Sequence, residues 1–219
     1  MQSHDYVAKV KLLFVWTLKG YREVLFLHCA LALLARAAPR PACSEFHSTV
    51  NAGMTMVKRV LLSIPDVHKS CITSKELTLG SPTKDLQYLQ SELMIPTSPS
   101  FKSLSTEFTM ELSLDHMYQG LQLYQDLLST VRHRLPNPDK LTELLAVIND
   151  LLAQVLKIRE LAQLETVTQY QGSGLSARLN SDFQAEIATH ITLEQLTSFS
   201  QHVVRSLRKI SHSKLAVWC

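Results

Sequence analysis

The chain has 219 residues, of which 46% are hydrophobic and 19% are charged, a balance that is typical of one globular domain and argues against disorder. The formal net charge is +3, but five of the 22 basic and two of the 19 acidic residues lie in the first 37 positions, so 17 of each remain beyond them. A remainder without net charge excludes nucleic-acid binding through a strongly basic surface.

Residues 1–38 have the pattern of a secretory leader. Residues 24–34 form an apolar run of 11 residues that is too short to span a bilayer, basic residues precede it, and Ala35-Arg36-Ala37 supplies small residues for cleavage. We therefore predict a secreted, extracellular protein with a leader at 1–38 and one domain at 39–219. A buried core helix or a membrane anchor is the alternative. A second apolar run at 10–18 indicates a later start of translation or a variant end.

The first helix is predicted at 44–64, with Ser44 as its N-cap and Pro65 as its end. Its apolar residues recur every three or four positions, which is the helical spacing: Phe46, Val50, Met54, Val57, Leu61 and Ile64.

Residues 65–103 lack a long periodic run and contain Pro82, Pro96 and Pro99. A connection of this length can follow a whole bundle, so the first two long helices can be parallel. A short helical turn is predicted at 85–93.

The second helix is predicted from near Ser105 to Val131, with Gly120 at its middle. Glycine is unfavourable inside a helix, so we expect another helix to come close there. Its apolar stripe comprises Met110, Leu114, Met117, Leu121, Leu123, Tyr124, Leu127, Leu128 and Val131.

A short break with Asn137 as the cap leads into a third helix at 138–164. A second long connection, flexible at Gly172-Ser173-Gly174, leads into a fourth helix capped by Ser181 or Asn180 and ending near Ile210. The third helix is expected to bury Leu141, Leu144, Leu145, Ile148, Leu151, Leu152, Val155, Ile158 and Ala162. The fourth is expected to bury Phe183, Ile187, Ile191, Leu196, Phe199, Val203, Leu207 and Ile210.

Four long helices with a long first and last connection predict an all-α fold: a long-chain four-helix bundle with up-up-down-down topology and two long crossover loops. This arrangement is typical of growth hormones and cytokines.

No group of residues predicts catalysis, a metal site or a cofactor. Glu186 and His190 have a spacing that metal sites use, but no second motif completes such a site, so a solvated pair is the interpretation. The four cysteines show no zinc-site spacing. We therefore predict that the chain is not an enzyme.

Residues 117–128, MYQGLQLYQDLL, resemble the second helix of granulocyte colony-stimulating factor. The match continues at Ile95-Pro96 and in the fourth helix at Phe183-Gln184, 196–199 and 205–208. The chain is identified as a fish-like member of this family of long-chain class I helical cytokines.

The resemblance also has gaps. The family's second disulfide would fall on Ser103 and Ser113, so it is absent. Cys71 matches one cysteine of the first disulfide, whose partner would lie near Pro65. Cys43 could substitute only if the first helix were not straight, so the pairing stays open.

The resemblance implies binding and dimerisation of a class I cytokine receptor, which promotes proliferation and differentiation of granulocyte-lineage precursors. Asp150 and Glu160 correspond to the acidic positions of a receptor face on the first and third helices, whereas the usual first-helix glutamate is replaced by Ser48 or Thr49. A second face corresponds to Glu76 and Leu79 of the first long loop and to Phe183.

Two other classes of protein use amphipathic helices. A lipid-binding, apolipoprotein-like carrier would have narrow apolar faces with basic borders, whereas the faces here are broad. A ferritin-like enzyme would need paired metal-binding motifs. We expect neither nucleic-acid binding nor membrane insertion of the mature chain.

Overall fold

A computed structural model describes residues 41–80, 84–97, 99, 109–165 and 170–213. All regular secondary structure in these ranges is helical, with no strand. The predicted leader and residues 214–219 lie outside the described residues. Within those ranges, no helix combines the length and the apolarity needed to cross a membrane.

The four predicted long helices and the short helix between the first two are all present. The α-helices in the described ranges are α1 (Pro41–Cys71), α2 (Lys84–Glu92), α3 (Met110–Val131), α4 (Asp139–Leu161) and α5 (Asp182–Ser211). Two 3-10 turns follow α3 and precede α5, at Arg132–Arg134 and Leu175–Arg178.

The prediction that Pro65 ends the first helix is wrong, because α1 continues through it to Cys71. A proline has no N–H, so one carbonyl of the preceding turn loses its helical partner. The helix continues because Ile64, Val67 and Cys71 fall on one stripe and are all buried in the core. Burial of this last turn outweighs the lost hydrogen bond, and the long connection begins only at residue 72.

The helix starts follow the predicted caps in one case and depart from them in others. The Ser181 hydroxyl accepts a hydrogen bond from the N–H of Gln184 at 3.2 Å, which confirms this cap. Ser44 is not a cap, because α1 already includes it. Pro138, not Asn137, occupies the cap position of α4, and its side chain makes no capping bond.

The centre of the core is α3, whose predicted stripe is entirely buried. It begins at Met110 with Thr109 as its cap, not near Ser105, which lies outside the described residues. A Cβ atom at Gly120 would lie only 2.2 Å from Cε2 of Phe199 on α5. This confirms the predicted close approach of a second helix.

The predicted inner faces of α4 and α5 are also buried, with Ala162 half-buried and Phe183 as the exception. Phe183 is 61% exposed, so the expectation that it faces the core is wrong. It lies on the first turn of α5, at the end of the bundle, where no neighbouring helix covers its side chain enough to bury it.

Contacts between helices identify which ends lie side by side. The carboxylate of Glu45, near the start of α1, lies 2.9 Å from Nζ of Lys157 near the end of α4. At the other end of α1, the Ser70 hydroxyl donates to the carbonyl of Asn137, just before α4, at 3.0 Å. Between α3 and α4, the Arg159 guanidinium pairs with Asp115.

The second long connection is fixed to the bundle around Gly172-Ser173-Gly174, the stretch predicted to be flexible. The N–H of Ser173 donates to Asp126 of α3 at 2.7 Å. The Arg178 guanidinium donates to the carbonyls of Ser173, at 2.7 Å, and of Leu93, at 2.8 Å. Arg178 thereby ties the second connection to the end of α2 in the first.

Candidate functional site

The segment 73–80, which follows α1, lies along α5. The Thr73 hydroxyl donates to Oε1 of Glu186 at 2.7 Å, and the N–H groups of Thr73 and Ser74 donate to its Oε2 at 3.3 Å each. The N–H of Gly80 donates to Oε1 of Glu194 at 3.0 Å. Two carboxylates, two turns apart on α5, therefore hold the two ends of the segment.

The interpretation of Glu186 and His190 as a solvated pair is therefore wrong. Glu186 accepts hydrogen bonds from the segment 73–80, and His190 is completely buried. The two side chains point to different neighbours, although they are one turn apart in α5.

Three predicted receptor-binding residues lie on or beside the first turns of α5. Glu76 is exposed and Leu79 is half-buried, and both belong to the segment that Glu186 and Glu194 hold. Phe183 is exposed and precedes Glu186 by one helical turn. We call Glu76, Leu79 and Phe183 the loop–α5 surface.

A groove lies between α1, the segment 73–80 and α5. Its volume is about 580 Å³, and its lining includes Leu61 and Pro65 from α1, Leu79 from the segment, and Glu194 and Thr197 from α5. The apolar side chain of Leu79 thus reaches the groove, which explains its partial burial.

A pair of histidines, of which His190 is buried and His68 is half-buried, meets Glu194 of this groove. Nε2 of His68 on α1 and Nδ1 of His190 on α5 are 2.9 Å apart, and Nε2 of His190 is 3.7 Å from Oε1 of Glu194. Burial lowers the pKa of both rings; for His68 the neighbouring His190 lowers the pKa further, and Glu194 partly opposes the shift for both. Both rings are therefore neutral at pH 7.

The other two predicted residues lie on α4, away from the loop–α5 surface in the sequence. Asp150 and Glu160 are both exposed. They are separated by about 15 Å along the helix axis and by about 80° around it, so they do not form one compact cluster. We call the surface formed by Asp150 and Glu160 of α4 and the exposed residues of α1 the α1–α4 surface.

The α1–α4 surface differs from the family pattern at the position of the first-helix glutamate. Ser48 is exposed, but Thr49 is buried and its hydroxyl donates to the carbonyl of Glu45 at 2.7 Å. The backbone of Thr49 accepts from the Gln154 amide at 2.7 Å. The only carboxylate that the described first turns of α1 offer is Glu45, and Lys157 pairs with it.

Cys71 is a buried free thiol. Burial raises its pKa to about 11, so the thiol is protonated at neutral pH and a poor nucleophile. Cys43 lies at the far end of the same continuous helix, about 42 Å away, which rules out a bond between these two cysteines. Cys29 and Cys219 lie outside the described residues.

Among the residues described by the structure, no group of three or more His, Cys, Asp or Glu side chains could hold a metal ion. The cluster that the sequence analysis missed is the His68–His190 pair with Glu194, because 122 residues separate the two histidines. Glu186, His190 and Glu194 do share a four-residue spacing on α5, which was the available signal.

Neither the models of known protein families nor the sequences of curated proteins match this chain.

Proposed function

We propose that the chain is a secreted class I helical cytokine of the granulocyte colony-stimulating factor type, which binds and dimerises a class I cytokine receptor on granulocyte-lineage precursors. The resemblance at residues 117–128 supports the family. The observation that carries the proposal is the relative direction of the four long helices, which the contacts at their ends support.

The first pair of contacts concerns α1 and α4. Glu45 near the start of α1 meets Lys157 near the end of α4, and Ser70 near the end of α1 meets Asn137 just before α4. These contacts support opposite directions for the two helices.

The second pair concerns α3 and α4. Asp115 near the start of α3 pairs with Arg159 near the end of α4, and Asn149 near the middle of α4 accepts from Gln125 further along α3. Since α4 then runs opposite to both α1 and α3, these two helices run the same way.

The last helix completes the order. A Cβ at Gly53 in α1 would contact Leu207 late in α5, whereas His68 late in α1 contacts His190 early in α5. These contacts support an up-up-down-down bundle, the topology that requires long first and last connections and that growth hormones and cytokines share.

The two surfaces suit a protein that brings receptors together. The loop–α5 surface and the α1–α4 surface are carried by different helices, so one bundle can bind two receptor chains at once. Rigid helices that hold both surfaces fix the relative position of the bound receptors. In this proposal the protein acts by binding alone.

A lipid carrier is less well supported by the distribution of apolar side chains. The large exposed ones in the described ranges are spread over all five helices and the residues just after α2 instead of forming one stripe. They are Leu62, Tyr88, Met94, Leu112, Leu156 and Phe183.

The test is to add the purified secreted protein to marrow or kidney progenitors and to count granulocytic colonies. Phe183→Ala is compared with Tyr88→Ala, because Tyr88 is another exposed aromatic residue and lies outside both surfaces. We expect the Phe183 variant to need about tenfold more protein and the Tyr88 variant to match the wild type. The absence of colonies with the wild-type protein, or equal losses in both variants, would contradict the proposal.

N-terminal sequencing of the secreted chain tests the proposed leader at 1–38.

A further inference from the structure

The geometry around buried His190 assigns the protons of the histidine pair. Nε2 of His190 faces the carboxylate of Glu194 at 3.7 Å, where an N–H is favoured over a lone pair. Nδ1 of His190 is then the acceptor, and Nε2–H of His68 donates to it across 2.9 Å. This arrangement leaves both rings neutral, satisfies Nδ1 of His190, and leaves the buried Nε2–H of His190 without a hydrogen-bond acceptor within reach.

This assignment determines where additional protons can bind. A proton on His68 enters at Nδ1 and leaves the hydrogen bond to His190 intact. Transfer of the bridging proton from Nε2 of His68 to Nδ1 of His190 then moves the positive charge to His190 and reverses the direction of the hydrogen bond, which places a positive ring in a completely buried position. The carboxylate of Glu194 is the nearby group that can compensate such a charge.

The same oxygen of Glu194 faces both of its neighbours. Its Oε1 accepts from the N–H of Gly80 at 3.0 Å and is too far from Nε2 of His190 for a hydrogen bond. A positive charge on His190 attracts the carboxylate inward, because a short charged hydrogen bond is about twice as strong as a neutral one.

We propose that Glu194 is an acid-sensitive latch: at neutral pH it holds Gly80 at the end of the segment 73–80, and on acidification it turns to protonated His190 and releases Gly80. The start of the segment stays attached, because Glu186 holds Thr73 and Ser74 independently. Acidification therefore frees the Leu79 end of the segment and leaves the bundle intact.

The elements near the pair carry other titratable groups. They are Glu186 on α5; Asp66, Lys69 and Cys71 on α1; Lys75 and Glu76 on the segment; and Asp139 and Lys140 at the start of α4. Within the described part of the chain, the groups that act on the pKa of the two rings are Glu194 and the partner ring. The latch is thus confined to three side chains.

If the proposed receptor-binding function holds, the latch changes the loop–α5 surface with pH, because Leu79 belongs to that surface. This consequence rests on the proposed function, but the latch itself is a property of the isolated protein. Its test therefore needs no receptor, and its failure is distinguishable from failure of the proposed function.

The test follows the Gly80 amide resonance and the His190 ring resonances of the full secreted chain by NMR between pH 7.5 and 5. We expect the Gly80 amide to shift together with the His190 ring, with a common midpoint below pH 6.5, while the Thr73 amide stays fixed. In Glu194→Gln the amide oxygen still accepts from Gly80 but carries no charge, so the Gly80 shift should disappear.

Glu186→Gln is the matched control, because this carboxylate holds the other end of the segment and lies outside the histidine pair. It should keep the Gly80 shift of the wild type. The proposal is overturned if Gly80 moves only below about pH 5, where carboxyl groups in general take up protons, or if Glu194→Gln titrates like the wild type.

Discussion

At Gly120 the ring of Phe199 occupies the space that a side chain would need. The nearest ring carbon would lie 2.2 Å from an added Cβ, and the ring itself is buried and packs against Tyr124 at a centroid distance of 5.1 Å. A buried ring with a packed neighbour cannot move aside freely. Glycine is therefore required here by packing, despite its cost to the helix.

We expect Gly120→Ala to lower the free energy of unfolding by about 1–3 kcal/mol, because overpacking of the core outweighs the better helix propensity of alanine. Gly53→Ala is the matched control. Its Cβ would meet neighbours at 3.6 Å, an ordinary contact, so a gain of about 1 kcal/mol is expected. Urea unfolding of both variants measures the difference, and a stabilised Gly120 variant would contradict the close approach.

Single residues differ in how far the sequence predicts them. Gly120 could be predicted, because an unfavourable residue at the centre of a strong apolar stripe indicates a local constraint. Phe183 could not be placed correctly. The apolar spacing of α5 includes its first turn, but the neighbouring helices do not bury a side chain there. His190 could not be placed either, because its partner His68 lies in another helix and contacts across helices leave no local pattern.

At the scale of helices, one buried ion pair joins α3 to α4. Arg159 is 3% exposed and pairs with Asp115, and it also donates to the carbonyl of Glu165 after α4. Removing the arginine leaves the Asp115 carboxylate without its partner in a mostly buried place. This loss is costly, whereas an exposed pair is replaced by water.

We expect Arg159→Met to lower the free energy of unfolding by about 3 kcal/mol. Lys157→Met, two residues away on the same helix, breaks the exposed pair with Glu45 and should cost less than about 1 kcal/mol. Urea unfolding at neutral pH gives both values. Equal losses would show that burial does not set the strength of these pairs.

The histidine pair makes the contact between α1 and α5 sensitive to pH. Burial lowers the pKa of His68 and His190 in the folded chain relative to the unfolded value of 6.5. Well above pH 6.5 both rings are neutral in both states and contribute no pH dependence. Below pH 6.5 the unfolded chain takes up protons that the folded chain resists, so stability falls with pH.

For the wild type we expect the free energy of unfolding to fall between pH 6.5 and 5 by up to about 1.4 kcal/mol per pH unit for buried His190 and by less for half-buried His68, whose charge solvent screens. His68→Gln keeps a donor for His190 but removes one ring, so the slope should decrease. His133→Gln, an exposed histidine beside α3, should keep the wild-type slope. Urea unfolding at several pH values measures the slopes, and a wild-type slope of zero would contradict a histidine pair that is neutral in the folded chain.

A helix could be predicted where its local sequence and the burial of its apolar residues agree. The stripe of α3 predicts that helix because all of its apolar residues face one core. At Pro65 the two disagree: the local rule ends the helix, while the buried residues beyond it extend α1 to Cys71. Only the packed structure decides such a case, since the energy of burial depends on residues from other helices.

For the whole molecule, the length of the connections and the pattern of the helices predicted an all-helical chain. The attachment of these connections was not predictable. Glu186, Glu194, Asp126 and Arg178 hold them to the bundle through contacts between distant residues. The candidate surfaces thus depend on contacts that no local stretch of sequence reveals.

The proposed receptor-binding function, with its two proposed surfaces, leads to a prediction about signalling. A ligand that dimerises receptors needs both surfaces, whereas a ligand with one intact surface can bind but cannot bring two receptors together. We therefore expect Asp150→Lys/Glu160→Lys to remain bound through the loop–α5 surface and to lose colony formation. Added in excess, this variant should inhibit the wild-type protein by occupying receptor chains singly.

The measurement combines binding to receptor-bearing progenitors with colony counts for mixtures of variant and wild type. Glu92→Lys is the control, because it reverses an exposed carboxylate on α2, outside both surfaces; it should bind and signal like the wild type. Inhibition that increases with the excess of the double variant would require binding without dimerisation. Full signalling by the double variant would remove Asp150 and Glu160 from the binding surface, whereas loss of all binding would mean that the two surfaces do not act separately.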